Sequence, residues 1–165
     1  MKRLLKIVAL CLIFCMTVAM SACAPSAKTF TKLEMSIELN TDFVEKTIIS
    51  QTVYYESKDV IVTALREPFT LLSGTENWSV SKYGQTCITA NALTGCTAQL
   101  SQDGTYAYFT YTKELNGVEY TYLATCHKAD EAFWLIQFAT FSSKYESVKT
   151  QLFEYAESIQ FASAQ

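Results

Sequence analysis

The dipeptide Asn116-Gly117 restricts the fold of this chain more than any other feature, because it separates two stretches rich in tyrosine and threonine. Both residues tolerate the positive φ of a type I′ turn, so the dipeptide predicts a β-hairpin with a two-residue loop. Such a turn also fixes which residues lie opposite each other on the two strands. The predicted pairs are Leu115–Val118, Tyr111–Tyr122 and Phe109–Ala124.

The two faces of this hairpin differ in polarity, since successive side chains on a strand point to opposite sides. One face carries Ala107, Phe109, Tyr111, Tyr120, Tyr122, Ala124 and Cys126. The other, more polar face carries Tyr106, Tyr108, Thr110, Thr112, Thr121, Leu123, Thr125 and His127. The next stretch, AFWLIQFATF, is apolar at both sets of positions, whereas a sheet with one face in water would alternate. We therefore predict an α+β fold, a three-layer α/β/α sandwich around one mostly antiparallel sheet.

Four further elements complete the predicted domain. Apolar and polar residues alternate from Leu33 to Leu39, which is the period of a half-buried strand. Lys58-Asp59 separates two runs of β-branched and aromatic residues and predicts another hairpin. A helix is predicted within residues 75–91, with Thr75 as its N-cap. The last helix is predicted from an S-x-x-E capping box that starts at Ser143 and from the apolar stripe that follows it.

The N-terminus has the layout of a secretory signal. Three basic residues in the first six precede an uncharged run from Ile7 to Ala22, shorter than the roughly 20 apolar residues of a membrane-spanning helix. Residues 20–23, Met-Ser-Ala-Cys, resemble the lipobox of bacterial lipoproteins, whose cysteine receives a diacylglyceryl group before the chain is cut in front of it. The resemblance implies lipidation of Cys23, and two acyl chains anchor a protein stably. The alternative is an ordinary signal peptide, cut at an A-x-A-like site, that leaves Cys23 unmodified.

Cleavage before Cys23 divides the chain into three parts. Residues 1–22 are the predicted signal peptide, residues 23–31 a tether without apolar pattern, and residues 32–165 a single domain. Removing 22 of the 165 residues leaves 143, which is enough to bury a core. The mature chain keeps ten of the 13 basic residues against 16 acidic ones, a net charge of −6 with histidine neutral. This negative charge argues against nucleic acid as a partner.

The order of elements resembles the PsbP-like fold. The resemblance is carried by the NGVEYTY hairpin, the AFWLIQFAT strand and a last amphipathic helix that ends in SIQF. That superfamily includes the extrinsic photosystem subunit, the Mog-type Ran-binding import factor and small bacterial lipoproteins of unassigned role. The resemblance spans residues 33–161 and implies an accessory, assembly or binding protein. It carries no active-site motif that could be transferred to this chain.

His127 is the only histidine, and it directly follows Cys126. Adjacent strand residues point to opposite faces, so the two cannot easily converge on one metal ion or substrate. We predict that His127 is a solvated strand end near a turn, and that Asp130-Glu131 is a solvated turn. The glycines form no G-x-S-x-G elbow, phosphate loop or dinucleotide fingerprint. We therefore predict no catalytic residue, no metal site and no cofactor.

Three cysteines follow Cys23 in the mature chain: Cys87, Cys96 and Cys126. An odd number leaves at least one thiol unpaired. Cys87 and Cys126 fall on predicted apolar faces, which favours packing in the core. A Cys87–Cys96 disulfide stays open as the alternative in an exported protein.

The sequence predicts a binding protein rather than an enzyme. Tyr106, Tyr108, Tyr120 and Tyr122 are predicted to cluster on the hairpin, where such residues usually stabilise the sheet, with a ligand platform as the alternative. We predict a non-enzymatic, lipid-anchored binding or assembly module on the outer face of a bacterial cell membrane, with an envelope protein or extracellular ligand as partner. The alternatives are an envelope-acting hydrolase and a small-ligand receptor that uses the tyrosine- and threonine-rich sheet face.

Overall fold

The computed structural model of the protein describes residues 26–163, which fold into a mixed α+β structure. The strands are β1 (Ala27–Lys32), β2 (Met35–Asn40), β3 (Val44–Glu45), β4 (Val53–Glu56), β5 (Val60–Pro68), β6 (Gln99–Leu100), β7 (Ala107–Leu115), β8 (Val118–Lys128), β9 (Ala132–Phe141) and β10 (Gln160–Phe161). The helices are α1 (Val80–Ala90) and α2 (Tyr145–Glu157), and α2 is preceded by a 3₁₀ turn, Ser142–Lys144. The predicted signal peptide and Cys23 lie outside the described residues.

Seven strands form the larger sheet, in the order β3-β4-β5-β9-β8-β7-β6, and each neighbouring pair is antiparallel. The structure confirms the predicted hairpin, because Asn116 and Gly117 have φ values of 53° and 78°. All three predicted residue pairs across the hairpin are present. The Lys58-Asp59 hairpin is also confirmed, since it joins β4 to β5. Local turn chemistry therefore sets the register of this sheet.

The central part of β9 is buried from both sides, as its apolar sequence predicts. Ile136 is fully buried in a cluster that also contains Leu152 of α2. Leu135, on the opposite side of the strand, is half-buried and packs against a second cluster that contains Cys87 and Ile88 of α1. The two helices thus contribute to different hydrophobic clusters. Within residues 26–163 no helix is long and apolar enough to span a membrane.

A second sheet, β1-β2-β10, corrects two predictions made from the sequence. One sheet was expected, together with an unpatterned tether through residue 31, but residues 27–32 form β1 and pair with β2. Phe30 is the only buried residue of β1, so the strand has no alternation by which it could be recognised. Its ring packs on Tyr55 with the centroids 4.7 Å apart. β10 pairs with the other edge of β2, which brings the two ends of the domain together.

Ser79, and not Thr75, is the N-cap of α1. The Ser79 side chain accepts a hydrogen bond from the backbone N–H of Lys82 at 3.2 Å. The prediction of Thr75 was wrong because its hydroxyl donates to the carbonyl of Leu72, at 2.6 Å, in a turn that precedes the helix.

Gly84 lies inside α1 although glycine is a poor helix former. A Cβ atom at this position would lie 3.2 Å from the Cβ of Ala98 and 3.5 Å from the sulfur of Cys126. Glycine therefore allows α1 to approach β8 closely, and this approach fixes the position of the helix on the sheet.

The capping box predicted at Ser143 is not formed. Ser143 lies inside the 3₁₀ turn, and an N-cap residue normally has an extended backbone. The N-cap position of α2 is Lys144, which makes no side-chain capping bond. The predicted apolar stripe of the helix is present, and its buried members are Tyr145, Leu152, Tyr155 and Ala156.

Candidate functional site

A cavity of about 420 Å³, here called the α1 cavity, opens beside α1 on the larger sheet. It lies over Leu65 of β5 and Leu135 of β9, which face each other across the two strands. The residue opposite Leu135 on the next strand is Cys126, which α1 buries completely. The main contacts of α1 with the sheet are to β7 and β8, and Leu65 of β5 keeps 36% of its surface exposed. The sheet therefore offers an apolar surface at the edge of the helix.

Tyr83 of α1 separates the cavity from the core. Its ring stacks on Phe133, with the centroids 4.3 Å apart and the planes 8° from parallel. Its hydroxyl donates a hydrogen bond to Oε2 of Glu67, which also lines the cavity. Burial raises the pKa of Tyr83 well above its usual value, so the phenol stays protonated at neutral pH and remains a donor. The Glu67 carboxylate is thereby held at the cavity.

The segment between β5 and α1 places Trp78 at the mouth of the cavity. The backbone N–H of Trp78 donates to the carbonyl of Thr75 at 2.8 Å. The ammonium group of Lys128, at the end of β8, donates to the carbonyl of Trp78 at 3.2 Å and also to that of Glu76. The Lys82 ammonium lies 4.2 Å from the centroid of the indole ring, a cation–π contact. These contacts fix Trp78 relative to the sheet.

Most polar groups of the cavity are uncharged. Among the described residues that line it, Glu67 alone carries a formal charge at pH 7. Amide side chains come from Gln51, Asn91 and Gln137, and the amide nitrogen of Gln137 donates to the hydroxyl of Tyr111 at 2.8 Å. An apolar surface with a few amides and one carboxylate suits an uncharged or cationic ligand that has an apolar part. An anion would be repelled by Glu67.

Cys87 of α1 also lines the cavity, and Cys126 belongs to the same hydrophobic cluster. The hydrogen bond from the Cys126 thiol is the main reason that the pKa of Cys87 is lowered, and the same bond together with burial raises the pKa of Cys126. Both thiols are buried, as predicted. The Cys87–Cys96 disulfide is not formed: the three cysteines of residues 26–163 are free thiols, and the sulfur of Cys96 lies 3.8 Å from the carbonyl oxygen of Thr94.

The predicted tyrosine cluster is divided between the two faces of the larger sheet. Tyr122 lies on the same face as the cavity and stacks on Tyr111, with the centroids 4.7 Å apart and the planes 4° from parallel. Tyr120 shares this face, whereas Tyr106 and Tyr108 pack with the cluster that contains α2. The division follows from the register, because Tyr120 and Tyr122 pair with odd-numbered residues of β7.

His127 is buried, so the prediction of a solvated strand end was wrong. Only 5% of its surface is exposed, since its ring stacks on Tyr106 at 5.0 Å and lies 5.7 Å from the ring of Phe161. Its Nε2 atom lies 3.1 Å from the hydroxyl of Thr125. Burial lowers the pKa of His127 to about 3, which leaves the ring uncharged at neutral pH. The covering residue Phe161 belongs to β10, a strand that the sequence did not predict.

The remaining sequence candidates lie away from the cavity. Asp130 and Glu131 are exposed in the turn between β8 and β9. In the part of the chain that the structure describes, no three histidine, cysteine or acidic side chains are grouped to hold a metal ion. Cys23, the predicted lipidation site, lies outside the described residues.

Sequence reasoning missed Glu67, Trp78 and Gln137 as site residues. They come from β5, the segment before α1, and β9, and strand pairing together with the helix brings them to one cavity. None belongs to a recognisable motif. The one usable signal is local: Leu135 and Gln137 alternate with the fully buried Ile136 and Phe138 on β9, which marks the less buried side of that strand.

No protein-family profile matches the sequence, and no curated protein matches it. Several solved structures are nevertheless similar to the protein. A crystal structure of a protein from Bacteroides thetaiotaomicron VPI-5482 has a TM-score of 0.54 at 12% identity over 82% of this chain. This chain covers 48% of that protein, or about half of its length.

Two further similar structures are of proteins named in the superfamily that the sequence resembles. The solution structure of cyanobacterial PsbP from Synechocystis sp. PCC 6803 has a TM-score of 0.49 at 10% identity, covering 86% of this chain and 96% of the other. The crystal structure of the Saccharomyces cerevisiae Ran-binding protein Mog1p has a TM-score of 0.46 at 13% identity, covering 84% and 97%. At such identities the similarity concerns the general fold and does not extend to a binding partner.

Proposed function

We propose that the protein is a non-enzymatic binding module, anchored through a lipid on Cys23 to the outer face of a bacterial cell membrane, and that the α1 cavity holds its ligand. The single observation that supports a binding site here is the cavity itself. Its volume of about 420 Å³ is within the range of small-molecule sites. The lipobox-like residues 20–23 support the anchor. The partner would be an extracellular ligand, or a side chain presented by an envelope protein.

The chemistry of the ligand follows from the lining of the cavity. Leu65, Leu135 and Trp78 offer apolar contacts, and the amides offer both donors and acceptors. Glu67 adds one negative charge that no cation in the lining balances. We infer that the ligand is uncharged or positively charged and has an apolar group of about the size of a six-membered ring.

The proposal of a non-enzymatic role rests on the positions of the ionisable groups. The thiol of Cys87 is the strongest potential nucleophile of the cavity, and a nucleophile of this kind needs a general base. Neither neighbouring group is such a base, because the Cys126 thiol is completely buried and the Tyr83 hydroxyl donates its hydrogen bond to Glu67. His127 lies in the cluster on the other side of β8, where its ring stacks on Tyr106. The arrangement therefore supports binding more than turnover.

Tryptophan fluorescence offers a direct test. The chain has two tryptophans, and Trp134 is fully buried, so an effect of added ligand reports on Trp78. Benzylammonium, benzamide and benzoate share one ring and differ in charge. We expect saturable fluorescence changes with benzylammonium and benzamide and a much weaker change with benzoate.

Two variants complete this test. Glu67→Gln should reduce the preference for benzylammonium over benzamide, and Trp78→Phe should abolish the signal without loss of the fold. Equal binding of all three compounds, or no saturable response to any, would contradict the α1 cavity as the ligand site. Hydrolysis of an ester or amide probe by the purified protein would favour the envelope-acting hydrolase instead.

The three-layer arrangement is part of the same proposal. It is supported by the separate hydrophobic clusters to which α1 and α2 contribute. In this arrangement α1 covers only part of its face of the sheet, which leaves room for the cavity over β5 and β9.

A further inference from the structure

We propose that Cys87 and Cys126 are a disulfide-forming pair, and that the bond between them is a covalent modification of the wall of the α1 cavity. The pairing depends only on the positions of the two side chains, which share one hydrophobic cluster between α1 and β8. That the bond forms in the cell rests on the export that the proposed function includes, because disulfides persist in oxidising compartments.

The geometry that supports this pairing comes from α1 and β8. Both side chains are buried in the same hydrophobic cluster, between α1 and β8. Gly84 precedes Cys87 by one helical turn and faces the same strand. A Cβ at that position would lie 3.5 Å from the sulfur of Cys126, so the helix backbone is already close to β8. A disulfide needs such a close approach of the two backbones, because its Cα atoms usually lie about 4.4–6.8 Å apart.

The chemistry assigns different roles to the two thiols. Cys87 lines the cavity, and its lowered pKa favours the thiolate, which is the nucleophile in disulfide exchange. It attacks one sulfur of an external disulfide, breaks that S–S bond and releases one thiolate. The other half of the external disulfide stays bonded to the sulfur of Cys87 and has room in the cavity.

The second step consumes the thiol of Cys126. Its proton passes to the released thiolate, and the sulfur of Cys126 then attacks that of Cys87. This attack forms the Cys87–Cys126 bond and releases the second half of the oxidant as a thiolate, which takes up from water the proton that Cys87 lost. Two protein thiols are thereby oxidised to one disulfide, and one external disulfide is reduced to two thiols.

Cys96 lies where it would remain a free thiol. It lies in the segment between α1 and β6, it is half-buried, and its sulfur contacts a backbone carbonyl of that segment. Cys126 is completely buried beneath α1, next to Cys87. The structure therefore predicts that Cys96 is the thiol left over, and that it reacts with an alkylating reagent when the other two are joined.

The test uses a Cys96→Ser variant of the domain, purified without its leader and equilibrated with reduced and oxidised glutathione at increasing ratios. Trypsin cuts after Lys82, Lys113 and Lys128, so Cys87 and Cys126 fall on separate peptides, 83–113 and 114–128. Free thiols are blocked with N-ethylmaleimide before digestion. With serine at position 96, any cross-link between these peptides joins Cys87 to Cys126.

The expected result is a cross-linked peptide pair, two hydrogens lighter than the sum of the separate peptides, that replaces the alkylated forms as the glutathione mixture becomes more oxidising. Closing a loop of about 40 residues should also raise Tm by on the order of 10 °C, a shift that Cys87→Ala in the same background abolishes. Full alkylation at every ratio, or a glutathione adduct on Cys87 without the cross-link, would overturn the pairing. Neither result depends on ligand binding or on lipidation of Cys23, so failure here is distinguishable from failure of the proposed function.

Discussion

At the scale of single residues, His127 shows how burial changes the meaning of a side chain. The ring packs between Tyr106 and Phe161 and accepts or donates one hydrogen bond with Thr125. A truncation to alanine would leave a cavity between two aromatic rings and cost stability. The histidine therefore contributes to the fold through packing, and its effect on stability depends on pH.

This dependence is a testable prediction. Burial lowers the pKa of His127 to about 3, whereas an unfolded histidine titrates near 6.5. Below pH ~6.5 the unfolded chain binds the proton and the native protein does not, so the free energy of unfolding falls by about 1.4 kcal/mol per pH unit until the native pKa is reached. Above that pH the contribution is constant.

Denaturant unfolding at pH 7 and pH 5 of the wild type and of His127→Gln measures this effect. The wild type should lose about 2 kcal/mol more than the variant between the two pH values. The variant serves as the control for carboxylates that titrate in the same range. Equal losses in the two proteins would mean that the imidazole is accessible to protons in the native state.

At the scale of elements, the caps of the two helices provide a matched comparison. Ser79 accepts a hydrogen bond from an N–H of the first turn of α1, while Ser143 lies in the 3₁₀ turn before α2 and does not serve as its N-cap. We expect Ser79→Ala to lower the free energy of unfolding by about 1 kcal/mol and Ser143→Ala to change it by a few tenths at most. Thermal unfolding of both variants measures these changes. A larger loss of stability for Ser143→Ala than for Ser79→Ala would mean that the capping box at Ser143 is formed.

The two sides of β9 supply the second prediction at this scale. Ile136 is fully buried on the side of α2, and Leu135 is half-buried on the side of α1. An unpaired charge placed in either cluster is costly, so Ile136→Asp and Leu135→Asp should both lower Tm strongly, with Ile136→Asp the worse. Thr112→Asp, on an exposed part of β7, is the control and should have little effect. If Leu135→Asp behaved like the control, the face on the α1 side would be open and the three-layer arrangement would be wrong.

At the scale of the whole molecule, the position of β1 changes the expected relation to the membrane. The sequence predicted a nine-residue tether, but the sheet begins at Ala27. The chain from Cys23 to Ala27 spans at most about 14 Å when fully extended. A lipid on Cys23 would therefore hold the domain close to the bilayer surface.

Replacement of Cys23 by alanine tests the anchor. We expect Cys23→Ala to remove the diacyl group, so the protein should leave the membrane fraction or persist as uncleaved precursor. Mass spectrometry of the wild-type mature protein gives the direct measurement, because lipidation adds a diacylglyceryl mass to the N-terminal peptide. A mature wild-type protein that begins at or after Cys23 without this mass would end the lipoprotein interpretation.

The sequence by itself determined the features that short-range chemistry controls. Asn116-Gly117 fixed the register of β7 against β8, because a type I′ turn admits one alignment of its strands. The apolar residues on both sides of β9 predicted that it is an inner strand, because a strand with two apolar sides must be shielded from water on both faces of the sheet. The same local patterns misplaced both helix caps, because a serine or threonine before a helix becomes a cap only if the incoming backbone allows it.

Only the tertiary structure decided which residues meet across the chain. β1 carries one buried residue, and it becomes a strand because an edge of β2 is available to pair with it. β10 pairs with the same strand, and its Phe161 covers His127. His127 is therefore buried, although its position near a turn predicts a solvated side chain. Glu67, Trp78 and Cys87 line one cavity because Gly84 lets α1 approach β8 while Leu65 of β5 stays partly exposed. These contacts join residues far apart in the chain, and such contacts depend on packing, which no local pattern encodes.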